Sequence, residues 1–374
     1  MSQCTAKTTE GNQCKLQALA GTTRCKRHTA KKAAQTLPFE SAREAAATVG
    51  FLHSGNYVLD YVVSGRLYNG GWPLGHVTEI YGAQSTGKSF LINRAIAQAQ
   101  RQGGDALLDD TEGAFNPDWA EEALGVDPDS LRLTQSLTVK DHYEVAKVYL
   151  EWLGTQPISC SVLALDSIAV LSTEQEISNA FEKRDMTRAQ EVRMLFRTLK
   201  RHVRKVPCAF LCTNHVIANI GGWNDTTTPT GSGLKFHAGV RVELRSPRKI
   251  KLESTGEYTG VIVNVFVEKN RFGPPWRQCR IAIPFHEPIN PLSGLIPFLL
   301  DYGYFGVNGA SWLIDSSGES IGIRAHKSDF LKQDQAAAEL LGLYPNLIVE
   351  VDTWLRSKAS AVRTAGEVVE DEGV

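Results

Sequence analysis

Eight consecutive residues carry the clearest chemistry in the chain: Gly82, Ala83, Gln84, Ser85, Thr86, Gly87, Lys88 and Ser89. They follow a short apolar run, Val77 to Tyr81, and precede a helical pattern that starts at Phe90. Gly-x-x-x-x-Gly-Lys-Ser set between a strand and a helix reads as a phosphate-binding loop. Gly82 and Gly87 permit backbone angles and close approaches that a Cβ would block. Successive N–H groups can then wrap phosphate oxygens at the positive end of a helix. Lys88 adds a point charge for the β- and γ-phosphates, and the Ser89 hydroxyl can ligate Mg²⁺. The competing reading is a glycine-rich surface turn.

Two carboxylates stand where such a loop needs them. Cys160 to Asp166 is a continuous apolar run that ends in an acid. Asp166 would hold the Mg²⁺ shell, with a helix N-cap as the alternative. Glu112 lies just past the short strand Ala106 to Asp109, where it could orient or deprotonate an attacking water; otherwise it is an exposed loop acid. Trp119 follows one turn into the next helix, suited either to stacking on adenine or to plain core. Lys269 and Arg271 share one face of a strand end beside Gly273-Pro-Pro275. They could stabilise phosphate charge as arginine fingers do, or form a solvated basic edge.

Two segments are suited to nucleic acid. Residues 183–205 are strongly basic, and their loop end carries Lys183, Arg184 and Arg188. Phosphate binding needs such positive density, although charge runs on helices are more often solvated faces. Residues 216–233 form a long Gly/Thr-rich stretch with one aromatic, Trp223. Backbone donors plus one stacking group suit single-stranded DNA.

Cys4, Cys14, Cys25 and His28 are spaced C-x9-C-x10-C-x2-H in a basic N-terminal stretch. Three thiolates and an imidazole make a tetrahedral structural Zn²⁺ shell; the alternative is a basic tail with free thiols. Seven cysteines are too few and too odd for a disulfide scaffold and fit a reducing cytoplasm. No apolar run approaches a membrane span. The formal net charge of −1 argues for no partner by itself, but the basic N-terminus and the acidic last eight residues differ in sign.

The elements that must position these groups alternate. The helix after the loop is expected to run to about Gln102. Asn116 caps a helix with Pro117 at N1, and Thr138 caps another with Asp141 at N3. Apolar runs at Cys160–Asp166 and Pro207–Thr213 read as strands buried on both faces. This predicts an α/β doubly wound, mainly parallel sheet with ligands at the carboxyl ends of its strands. Runs at Val240–Leu244, Gly260–Glu268 and Gln278–Ile283 lack intervening helices and are expected as antiparallel additions. A small mixed C-terminal domain and an acidic tail complete the chain.

Together these residues resemble the RecA family of strand-exchange recombinases, most closely its phage branch typified by UvsX. The resemblance covers roughly residues 38–360. It rests on Trp72–Gly82 leading into the loop, Asp109–Glu112 through Leu124–Asp129, Asp185–Ala189 with Leu195–Arg197, Asn214-His215, Thr228–Phe236 and Glu268-Lys-Asn-Arg271. It implies a RecA-like core at residues 71–288. Around that core the chain is read as a linker and oligomerisation segment at 31–70, a C-terminal domain at 289–360 and a tail at 361–374, and the Cys/His spacing adds a zinc-binding module at 1–30. The resemblance further implies a helical filament of the protein on single-stranded DNA that pairs with double-stranded DNA, with ATP between protomers. Glu112 would be catalytic and Trp119 adenine-stacking. His215 would sense the γ-phosphate and signal to the second DNA loop, while Lys269 and Arg271 would reach a neighbour's ATP. A single-strand-binding protein and a loading mediator are the further partners implied, in the host cytoplasm if the chain is phage-encoded. A helicase motor and a nucleotide-gated annealing protein are the alternatives. The zinc-like N-terminus lies outside the common family pattern.

Overall fold

The computed structural model describes residues 50–178, 187–218, 226–227, 232–252 and 254–365, together with 3, 5, 13–18 and 20. The chain divides into two compact units, Met1–Val49 and Gly50–Val374. In the first, Gln3 and Gln17 form an antiparallel bridge and Cys14 is buried. Cys4, Cys25, His28, Lys183, Arg184, Trp223 and the acidic tail lie outside the described residues. Among the described residues no helix is long and apolar enough to cross a membrane.

The second unit opens with β1 (Phe51–Leu52), α1 (Tyr57–Ser64) and β2 (Trp72–Pro73), the two strands pairing antiparallel. Strand β3 (His76–Gly82) then leads through the phosphate loop into α2 (Lys88–Arg101). Alternation follows: β4 (Asp105–Asp110), α3 (Pro117–Leu124), β5 (Arg132–Thr134), α4 (Val139–Leu153), β6 (Ser161–Asp166), α5 (Glu174–Ser178), α6 (Arg188–Val203) and β7 (Cys208–His215). Both expected caps are present. The Asn116 side chain accepts from Trp119 N, and Thr138 with Asp141 forms a reciprocal capping box.

After a short antiparallel pair, β8 (Ile217–Ala218) and β9 (Thr226–Thr227), come α7 (Ser232–His237), β10 (Val240–Lys251), β11 (Tyr258–Asn270) and β12 (Gln278–Pro284). The eight-stranded sheet has the order β12-β11-β10-β3-β7-β6-β4-β5. From β10 to β5 every pairing is parallel, while β11 runs antiparallel to both its neighbours. The expectation that Val240–Leu244 is an antiparallel addition is therefore corrected: β10 lies parallel to β3. The physical reason is α7. It lies in the crossover that carries the chain from β7 over β3, and a six-residue helix leaves no periodic signal.

Side-chain alternation explains why helices cover both faces. In β6, Val162 and Ala164 join the core under α1 and α2, whereas Leu163 and Leu165 join the core under α4 and α6. All four are fully buried. The C-terminal part comprises α8 (Leu295–Asp301), the antiparallel strands β13 (Gly306–Val307), β14 (Trp312–Ile314) and β15 (Ser320–Arg324), then α9 (Phe330–Leu343) and α10 (Leu347–Ala365). Its apolar side chains continue the α1/α2 core, and Asp352 on α10 accepts from Leu67 N at 2.6 Å.

Candidate active site

Strands β3, β4, β6 and β7 end at one edge of the sheet, and the predicted groups gather there. The loop after β3 is built for close approach. A Cβ on Gly82 would stand 2.5 Å from the Leu244 carbonyl oxygen, and one on Gly87 would stand 2.5 Å from Ile283 Cδ1. Gly87 also has φ 95°, a left-handed conformation suited to glycine. Thr86 Oγ1 donates to Ala83 O at 2.9 Å and closes the turn. Helix α2 starts with no side-chain cap at Gly87, so its positive end is presented to an anion. Lys88 is buried, and its ammonium donates to the carbonyls of Gly82 at 3.2 Å and Ala83 at 2.8 Å. Burial pushes Lys88 below the usual lysine range, against the upward pull of Asp166 and Glu112.

Asp166 ends β6 in register with Asp110 on β4. Burial, together with the negative charges of Glu112 and Asp110, raises its carboxyl above the usual range; hydrogen bonds from Ser89 and Thr213 oppose this. The loop carrying Glu112 is pinned to β6. Thr111 N donates to Asp166 O at 2.9 Å, its hydroxyl donates to Ser167 O at 2.8 Å, and the same hydroxyl accepts from Ser167 N. Glu112 Oε1 accepts from the Ser167 hydroxyl at 2.7 Å and from His215 Nε2 at 3.0 Å. Burial pushes Glu112 up, but Ser167, His215 and Lys88 outweigh it and hold the carboxyl below its ordinary value. Both bonds fall on Oε1, so Oε2 is the oxygen suited to accept a proton from water. Ser167 and Thr213 were not singled out from the sequence. The available signal was their place at or just beyond a strand end, Ser167 immediately after Asp166.

Behind His215 a polar line enters the sheet. His215 N donates to Asn214 Oδ1 at 3.0 Å, and Asn214 Nδ2 donates to Glu79 Oε1 at 2.8 Å. Glu79 pairs with Arg241, which also pairs with Glu268.

The remaining predicted residues lie elsewhere. Trp119 is half-buried, donates from Nε1 to Phe285 O at 2.6 Å and meets Phe90 edge-on at 6.5 Å. Lys269 Nζ donates to the carbonyls of Lys235 at 2.8 Å and Phe236 at 3.1 Å, and Arg271 donates to Phe236 O at 3.2 Å. Both cations thus sit at the carbonyl end of α7, where the helix dipole favours them. Burial and then the positive charges of Arg271, Arg241 and Lys200 lower Lys269 to about 8. The same basic surface, with burial the larger cause, lowers His76 to about 4 through Arg204, Lys200 and Arg271. So the second half of α6, read as a solvated face, contributes charge beside Lys269 and Arg271. Arg188 donates its guanidinium to the carbonyls of Leu171, Ile168 and Ala169 and braces the turn after β6.

Comparison with known families matches residues 29–290 to the RecA N-terminal domain. That span takes in every strand of the eight-stranded sheet. The chain is 32% identical over 295 residues to the chromosomal RecA protein of Lactococcus lactis subsp. lactis, covering 77% of this chain and 73% of that protein. It is 32% identical over 314 residues to the RecA protein of Colwellia psychrerythraea (81% and 84% covered), and 30% identical over 320 residues to that of Staphylococcus carnosus (84% and 82%).

Because donors hold Glu112 ionised to lower pH, removing one must raise its pKa. Ser167→Ala is therefore expected to move the acid limb of the pH–rate profile for nucleoside triphosphate turnover to higher pH. An unmoved limb would contradict Glu112 as the base.

Proposed function

The chain belongs to the RecA family, and from that membership and the geometry of the site we propose that it is an ATP-dependent DNA recombinase. It forms filaments on single-stranded DNA and exchanges that strand with a homologous duplex. The observation that carries this reading is the bridge from His215 to Glu112, which joins the strand end leading toward the Gly/Thr-rich 216–233 stretch to the carboxylate beside the phosphate loop.

ATP is the substrate of the loop. The uncapped start of α2 and the buried Lys88 both suit a triphosphate. Three neighbouring carboxylates, with Asp166 raised by burial and then by the charges of Glu112 and Asp110, suit a hard dication. Ser89 and Asp166 would hold Mg²⁺, which when bound neutralises β- and γ-phosphate charge. Glu112 accepts the proton of the attacking water. Ser167 and His215 hold its carboxylate in place, and Trp119 with Phe285 forms the adenine end. Lys269 and Arg271 do not touch their own loop, which supports their serving the ATP of a neighbouring protomer. ATP is then both bridge and switch: its contacts with His215 favour one arrangement of the DNA loop, and hydrolysis removes them. Trp223, Lys183 and Arg184 are the DNA-facing groups of this reading. Histidine at 215 supports a place near the UvsX branch. A single-strand-binding protein and a loading mediator in the cytoplasm belong with it.

Strand-exchange assays on the full chain test the reading. ATP-dependent exchange is expected with a homologous duplex and none with a heterologous one. Unwinding indifferent to homology would assign a helicase motor instead, and annealing without ATP turnover would assign a binding protein; either rejects the recombinase.

The N-terminal Cys4, Cys14, Cys25 and His28 are part of the same proposal, as a zinc module adding a DNA or partner contact. The purified chain is expected to carry zinc that is lost on replacing Cys4 and Cys25 by Ser. Equal metal content in both proteins would remove the module.

A further inference from the structure

We infer that Arg241 is a positioning residue that ties the strand end bearing Asn214 and His215 to the strand end bearing Lys269 and Arg271, so that both halves of the site a protomer presents are set together. This rests on the recombinase reading, in which Lys269 and Arg271 serve a neighbour's ATP.

Arg241 lies on β10 between the two strands that matter. It is opposite Glu79 of β3 on one side and opposite Lys269 of β11 on the other. The next pair after Arg241 and Lys269 is Val242 with Val267, so Glu268 is the extra residue of a β-bulge. A bulge re-aims a side chain, and here it brings the Glu268 carboxylate onto Arg241. The Arg241 side chain is 3% exposed and that of Glu79 is fully buried. Arg241 bonds Glu79 through Nε and Glu268 through Nη1, and it lies 4.5 Å over the ring of Tyr81. Tyr81 OH also donates to Glu268, at 2.7 Å.

A single planar fork therefore spans two carboxylates on two strands. Glu79 passes the constraint to Asn214 and so to His215, which holds Glu112. Glu268 passes it to its own neighbour in the chain, Lys269. Four adjacent strands, β7, β3, β10 and β11, are crossed by this one line of charge and hydrogen bonds. In a buried network an imperfect partner is costly, so the line has few alternative arrangements. Lysine could keep the charge but, as a point charge, could not bond both acids in the same plane.

The test uses the full chain with Arg241→Lys, read beside Lys88→Ala. Arg241→Lys is expected to remain folded by thermal melting and to bind a non-hydrolysable ATP analogue as wild type does in the absence of DNA. Its DNA-dependent kcat should fall by about tenfold or more with KM little changed. In mixtures with wild type, turnover should fall below the wild-type share, because a variant protomer misplaces Lys269 for a wild-type neighbour. Unchanged kcat, or mixtures that follow the wild-type share, would overturn the proposal. Should Arg241→Lys not fold, Glu268→Gln keeps the shape and removes one end of the line, and the same outcomes decide. Full turnover by Lys88→Ala would instead reject the underlying reading, a failure separable from that of Arg241.

Discussion

Asp110 and Asp166 end neighbouring parallel strands in register, and Glu112 lies two residues beyond the first of them, so three carboxylates converge at one edge of the sheet. Like charges brought together oppose one another, and the fold has to hold them there. It does so with neutral and cationic donors. Thr213 bonds Asp166, Ser167 and His215 bond Glu112, and Lys88 stands buried beside both. The outcome is a division of roles: Asp166 is raised and Glu112 lowered. Two carboxyls with separated proton affinities can serve a metal and a base respectively.

A second constraint lies inside the sheet. The Glu79–Arg241 pair occupies the centre of strands otherwise lined by Val240, Val242, Ile80 and Leu211. A buried ion pair adds little to stability compared with apolar residues, whereas removing one partner costs about 3–5 kcal/mol. Its place between the His215 and Lys269 strand ends makes positional control a better reason for it than stability.

Much of this was legible in the residues, and the rest was hidden for definable reasons. The phosphate loop, the Asp166 strand and the caps at Asn116 and Thr138 are local signals, each complete within a few residues. The parallel placement of β10 was not legible, because the helix described in its crossover, α7, is only six residues long and leaves no periodic signal. Arg241 was invisible as a positioning residue, since its partner Glu79 is 162 positions away and a strand pattern does not name cross-strand partners. The basic run at 183–205 does not act as one face. Arg188 is spent on backbone carbonyls, while Lys200 and Arg204 reach the surface shared with Arg271.

In the proposed recombinase, one protomer's phosphate loop is completed by another's strand end. Neither Lys88→Ala nor Lys269→Ala should turn over ATP on single-stranded DNA alone. Mixed, they are predicted to regain activity, because an interface can then pair an intact Lys88 with an intact Lys269. A mixture no more active than its two components would contradict a shared site.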